Sequence, residues 1–259
     1  MENGIPILDM RDVSLVIDTK TILKDISFSV RQGENWAVIG KNGAGKSFLL
    51  RMIAAQHFPT AGTIDLLGKR FGEYDLWKLK THIGFVSDLL QKNYHGGDPG
   101  EEVVLSGYFS SIGLYDRVTA GMRRKAKALL AFLGIEDLAE RPFDRMSHGE
   151  QRKTLLARAM VLDPALLILD EPCTGLDLAT REEFLDALSR LARTKTAVIL
   201  VTHHLEEIIP EIDRLLCLKD GMIAFQGPTR KLMTPGNLTR LFDHPVTLEI
   251  KNKRYYAAG

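Results

Sequence analysis

The chain has 259 residues, 45% hydrophobic and 26% charged, with a formal net charge of +1. That is enough chain for a large core in one or two globular domains, and the charge balance leaves no global field for nucleic acid or an acidic membrane surface. No apolar run approaches the ~18 to 20 residues that span a bilayer, the N-terminus lacks the pattern of a signal peptide, and Cys173 and Cys217 stand in no ligand-like spacing and are expected as free thiols.

Residues 7 to 30 gather Val, Ile, Leu and Phe between polar residues and read as strands with a turn near Asp18-Thr19-Lys20. A buried strand follows over Asn35 to Ile39, then the loop Gly40-Lys41-Asn42-Gly43-Ala44-Gly45-Lys46-Ser47, then a good helix former from Phe48 to Ala55. This is G-x-x-x-x-G-K-[ST] in the strand–loop–helix context that the motif needs. The glycines let successive backbone N–H groups point at phosphate oxygens, and the helix start adds its positive dipole end. Lys46 then reaches the β- and γ-phosphates, and the Ser47 hydroxyl takes a place on Mg2+. The chain is expected to handle a nucleoside triphosphate.

Short strands are expected around Thr63 to Leu67 and over His82 to Val86. A helical pattern runs from Glu101 to about Ala139, approached through Gly96, Gly97 and Gly100. Its basic cluster, Arg123, Arg124, Lys125 and Lys127, reads as a solvated helix face. Ser147-His148-Gly149-Glu150-Gln151-Arg152 stands before a helix over Lys153 to Val161. Ser147 and Glu150 fit a capping box, and Gly149 would let a phosphate approach the helix end. Strand and helix then alternate: Ala165 to Leu169, Ala179 to Ala192, Ala197 to Val201, and a helix around Leu205 to Ile209. Phe184, Leu185, Leu188 and Leu191 recur at helical spacing and belong to the core. This alternation argues for a largely parallel sheet covered on both sides. Val246 to Ala257 reads as a small hairpin around Asn252.

Leu166-Leu167-Ile168-Leu169-Asp170-Glu171 is an apolar strand closing on two acids at the sheet edge where such folds bind ligands. Asp170 would hold Mg2+, and Glu171, pointing the other way, would polarise the attacking water. Read alone, the run is also compatible with a strand ending at an acidic turn.

In this order and spacing, the phosphate loop, S-H-G-E-Q-R, L-L-I-L-D-E-P, Thr174-Gly175-Leu176-Asp177 and V-T-H-H resemble the ATP-binding-cassette (ABC) ATPase family over roughly residues 7 to 230. The resemblance implies an α/β P-loop NTPase: a RecA-like core, an N-terminal antiparallel β-subdomain, and a helical subdomain inserted at about residues 88 to 159. The ATPase domain would cover 1 to 240, with 241 to 259 as a tail. It also implies that Lys41, Asn42, Ala44 and Phe48 contact nucleotide with the rest of the loop. Ser147, Gly149, Glu150 and Asp177 would serve a partner's nucleotide across a head-to-tail dimer, and His203 would be the switch histidine at the γ-phosphate. A metal site built on His203 and His204 is disfavoured because adjacent strand residues point to opposite faces. ATP and Mg2+ are the implied cofactors.

Two positions depart from the family. Ile17 aligns with an aromatic that stacks on adenine, leaving apolar contact. Asp88 aligns with the glutamine of the loop that touches Mg2+, with Gln91 three residues on. Asp88 is expected to approach the metal, Gln91 is not, and the bland alternative makes Asp88 a helix N-cap. The favoured function is the ATPase subunit of a membrane importer, paired with itself or another ATPase subunit and with an integral membrane permease, on the cytoplasmic face of the membrane. Val103 to Phe109 and Leu241-Phe242 resemble ATPases of the iron-chelate and molybdate-associated groups. The alternatives are a soluble ABC ATPase acting on nucleic acid or ribosomes, and a non-hydrolysing regulatory module.

Overall fold

The computed structural model describes residues 5–94 and 97–259. Gly96 lies outside these residues. The chain opens with β1 (Leu8–Ile17) and β2 (Lys20–Val30), joined by a two-residue turn at Asp18 and Thr19, and continues into β3 (Asn35–Gly40) and α1 (Lys46–Ile53). Next come β4 (Ala61–Leu66), β5 (Lys69–Arg70), α2 (Leu76–Lys80) and β6 (Ile83–Ser87). Four helices follow before the next strand: α3 (Asp88–Asn93), α4 (Gly100–Ser106), α5 (Ala120–Phe132) and α6 (His148–Met160). The chain then runs through β7 (Leu166–Asp170), α7 (Leu178–Ala192), β8 (Ala197–Val201), β9 (Arg214–Lys219) and β10 (Met222–Pro228). It ends in α8 (Thr229–Leu232), α9 (Pro235–Phe242) and the hairpin β11 (Thr247–Lys251) and β12 (Arg254–Ala258).

The strands form an antiparallel sheet of order β2-β1-β4-β5 and a six-stranded sheet of order β10-β9-β3-β8-β7-β6. The latter is parallel except for β10. Strands β3 and β8 are buried at every position, as central parallel strands covered on both faces must be. One apolar cluster lies between this sheet and the first sheet with α1. The other joins its opposite face to α7 and to the helices α4 to α6. Phe184, Leu185, Leu188 and Leu191 of α7 are all in the second cluster.

Two sequence expectations change here. The helix around Leu205 to Ile209 is only a 3-10 turn, Leu205–Glu207. Pro210 follows Ile209, and the residue before a proline is pushed out of the α region. The helical pattern from Glu101 to Ala139 breaks over 110–119, where Gly113 takes a positive φ of 82°. Three of the four basic residues clustered on α5 are paired: Arg123 and Lys127 reach the buried Glu101, and Lys125 bonds Asp163.

Candidate active site

The loop between β3 and α1 bends at Gly45, where φ is 98° and a Cβ would lie 2.6 Å from Leu23 Cδ2 and 3.1 Å from the Ile22 carbonyl. Only glycine fits there. Lys46, 6% exposed, donates from Nζ to the carbonyls of Gly40 at 2.9 Å and Lys41 at 3.1 Å. Burial lowers its pKa, opposed by Glu171 and Asp170. The loop forms one wall of a cleft of about 710 Å3, with Asn42, Gly43, Gly45, Lys46, Ser47 and Phe48 lining it. Across from them stand Lys20, Thr21 and Ile22 of β2, Glu171, Asp220 and Gly221.

Ile22 and Phe48 are therefore the apolar groups of the cleft. Ile17, expected there, is not among the residues that line the cleft; it ends β1, and β2, which returns after the turn at Asp18 and Thr19, supplies Ile22. Lys20, Thr21 and Ile22 carry no motif, and nothing in the sequence marks them. Lys41 and Ala44 do not line the cleft. The Lys41 ammonium turns away to Asp243, which accepts at 2.8 Å, and Ala44 is buried.

Asp170 ends β7 in register with Ser87 of β6 and Val201 of β8. Burial raises its pKa, aided by Glu171 and opposed by Arg51, Lys46 and Arg152. Glu171 follows with a φ of 47°, a left-handed backbone that costs a non-glycine residue about 1 to 2 kcal/mol. Its N–H donates to Val201 O at 2.9 Å. This conformation brings its carboxylate to the cleft, where Oε1 lies 3.3 Å from His203 Nδ1. Glu171, His203 and the phosphate-loop lysine thus share one edge of the sheet.

The two histidines do not point apart. β8 ends at Val201, so both lie in the following loop, and their ring centroids are 4.1 Å apart. His204 Nδ1 faces Glu206 at 3.6 Å, a different carboxylate. Among the described residues no group of three His, Cys, Asp or Glu side chains could hold a metal. The expectation against a two-histidine metal site had relied on strand alternation, which does not apply to this loop.

Ser147, Gly149, Glu150 and Asp177 do not line the cleft. They stand at the starts of α6 and α7. Ser147 Oγ accepts from Glu150 N at 3.3 Å, and Glu150 Oε2 accepts from Ser147 N at 2.7 Å, completing the capping box. Asp177 caps α7 by accepting from Thr180 N at 3.0 Å and Thr180 Oγ1 at 2.8 Å, which holds its carboxyl below the usual range. A Cβ on Gly149 would fall 1.9 Å from Thr180 Cγ2. Within the chain, glycine is thus required for packing the two helix starts together.

Asp88 is the first residue of α3, and the cap is Ser87, whose Oγ accepts from Leu90 N at 3.3 Å. The N-cap alternative for Asp88 is overturned: the extended backbone at the end of β6 belongs to Ser87. The Asp88 carboxylate meets Lys92 at 2.5 Å and Arg152 at 3.6 Å. Gln91 Nε2 donates to Gln151 Oε1 at 2.7 Å.

The ABC transporter family profile matches residues 23–174. The chain belongs to the ABC transporter family. An uncharacterised ABC transporter ATP-binding protein of Bacillus subtilis, YlmA, is 43% identical over 93% of this chain and 92% of its own length. The cassette of a transporter described as metal-chelate type, solved in an inward-facing conformation, superposes with a TM-score of 0.77 at 26% identity, over 97% of this chain and 96% of its own. A dimeric bacterial ABC transporter cassette, MJ0796, gives a TM-score of 0.72 at 25% identity, over 85% and 98%. Other relatives are named for hemin import and for Nod factor export. The P-loop NTPase fold and the ATP-binding subunit role read from the sequence stand. Among the described residues no helix is long and apolar enough to cross a membrane.

Proposed function

We propose that this ABC ATPase binds Mg2+-ATP at the cleft between β2 and the phosphate loop, and that hydrolysis there opens and closes a head-to-tail pair that drives a membrane importer. The observation that carries this is the convergence of Lys46, Ser47 and Glu171 on one cleft, with His203 Nδ1 3.3 Å from the Glu171 carboxylate and Asp170 beside them.

The donor set suits the metal. Ser47 offers a hydroxyl and Asp170 a carboxylate, hard oxygens of the kind Mg2+ takes together with phosphate oxygens and water. Asp88, one residue past the strand beside Asp170, would approach the metal directly or through water. The metal, when bound, would draw charge from the phosphate oxygens. Lys46 leaves the carbonyls of Gly40 and Lys41 for the β- and γ-phosphates, an exchange of neutral acceptors for charged ones that favours the nucleotide. Glu171 orients water and takes its proton, and His203, held by the same carboxylate, meets the γ-phosphate.

Ser147, Gly149, Glu150 and Asp177 form one continuous corner at the paired starts of α6 and α7, away from the chain's own cleft. That placement supports their service to a second copy's nucleotide, with helix dipoles turned toward its phosphates. A permease subunit on the inner face of the cell membrane completes the proposed assembly. Glu171→Gln tests the cycle. Turnover should fall by roughly 100-fold or more while ATP binding persists, and gel filtration with ATP should show a dimer. Wild-type turnover in the variant would place the base elsewhere. Co-purification of the wild type with an integral membrane protein tests the transport role.

A further inference from the structure

Arg152 is 2% exposed and heads the fully buried side chains by size. Among the described residues its one acidic neighbour within ion-pair distance is Asp88, whose Oδ1 is 3.6 Å from Arg152 Nη2. Its Nε and Nη1 are buried without a hydrogen-bond partner among the described residues. A guanidinium is rarely kept so deep unless its charge serves a neighbour. The neighbours here are informative. Asp88 follows Ser87, the register partner of Asp170, and burial lowers the Arg152 pKa, opposed by the charge of Asp88 and, more weakly, by that of Asp170. Lys92 also meets Asp88, but from an exposed position where an ion pair contributes little. On the same two helices Gln91 bonds Gln151, so α3 and α6 are joined at two points.

We propose that Arg152 is a positioning residue for hydrolysis: from α6 it neutralises and orients the Asp88 carboxylate beside Asp170, so that an acid stands at the metal edge without adding net negative charge. The inference rests on the Mg2+-ATP reading of the cleft. Its consequences follow from Coulomb's law. Removing Arg152 leaves the Asp88 carboxylate with only the exposed ammonium of Lys92 for a partner among the described residues, which penalises free ATP more than its magnesium complex. Removing Asp88 leaves a buried cation whose charge then bears on Asp170, the proposed metal ligand, and it draws that carboxylate from its task. Removing both restores the balance.

The test is a cycle of R152Q, D88Q and D88Q/R152Q in the full-length chain, with R152K as the charge-keeping control. Three quantities are read: the melting temperature without nucleotide, the affinity for a fluorescent, hydrolysis-resistant ATP analogue in EDTA and in saturating Mg2+, and turnover. Each single variant should turn over at least about tenfold slower and melt lower, and the double variant should exceed either single in both. R152Q should widen the ratio of EDTA to Mg2+ dissociation constants by about threefold or more, and R152K should keep the wild-type ratio. A double variant slower than both singles overturns the pairing, because independent effects accumulate. So does an R152Q protein that melts lower at an unchanged ratio, since Arg152 would then only pack. Absence of Mg2+-dependent turnover in the wild type would strike the nucleotide reading instead, and the melting cycle would still decide the pairing.

Discussion

Lys46 sits at a point where burial and charge oppose one another. Burial lowers its pKa, and Glu171 and Asp170 hold it charged. Lys46→Ala removes the one side-chain cation lining the loop's side of the cleft. Charge-assisted hydrogen bonds contribute about 1.5 to 3 kcal/mol each, so affinity for a fluorescent ATP analogue should fall at least about tenfold. Unchanged affinity would remove the loop from the binding site. Asp170 presents the reverse case. Burial raises its pKa above the unfolded value, so the folded state retains a proton that the unfolded state has lost, and stability declines as pH rises through that window. Asp170→Asn should therefore raise the melting temperature of the nucleotide-free protein at neutral pH, flatten its fall above the ordinary carboxylate pKa, and abolish stabilisation by Mg2+-nucleotide. A lower melting point in Asp170→Asn at neutral pH would contradict that sign. The sequence announced both residues, because Lys46 fills the lysine position of a fixed loop motif and Asp170 closes an apolar strand. It did not announce Ile22, nor the turn of Lys41 to Asp243, since neither follows from local spacing.

Among the elements, the contact between the starts of α6 and α7 is the one that a single atom decides. A methyl group on Gly149 has no room against Thr180 Cγ2. Gly149→Ala should destabilise the chain by about 1 to 3 kcal/mol, the range for overpacking. Thr180→Ser deletes Cγ2 yet keeps the hydroxyl that Asp177 accepts from. Urea unfolding of Gly149→Ala/Thr180→Ser should recover most of the loss. If it recovers none, the clash is not what makes glycine necessary. The start of α6 was legible because Ser147 and Glu150 are capping residues at the right offset, whereas the cap by Asp177 on α7 appears only in the structure. The close approach of the two helices was not legible, because residues 149 and 180 are brought together by the sheet between them in sequence, not by local propensity.

Across the whole molecule, the C-terminal segment reaches the active-site edge at two places. Asp243 accepts from Lys41 and Lys219, and these bonds lower its pKa to about 2. Arg254 of the hairpin, 14% exposed at its side chain, donates to the Glu206 carbonyl at 2.9 Å and to Glu182 at 3.1 Å. Glu206 lies in the turn that follows the two histidines. Arg254→Ala should leave the central sheet folded while amide exchange in residues 203–207 quickens, by roughly tenfold if about 1.4 kcal/mol of local protection is lost. Unaltered exchange there would mean that the hairpin merely rests on the surface.

The sequence by itself determined the parts governed by short-range rules. It set the phosphate loop, the acidic end of β7, the cap of α6, the core face of α7 and the terminal hairpin, because steric limits, hydrophobic period and capping chemistry act within a few residues. It misplaced the helix after His204 by underweighting Pro210, and it assigned the histidines to a strand that had already ended at Val201. Only the tertiary structure decided which residues face the cleft across from the loop, and that Asp88 meets a buried arginine from α6. Those pairings join segments far apart in the chain. Their strength depends on burial and on the dielectric around each charge, and both exist only once the sheet and its covering helices have closed.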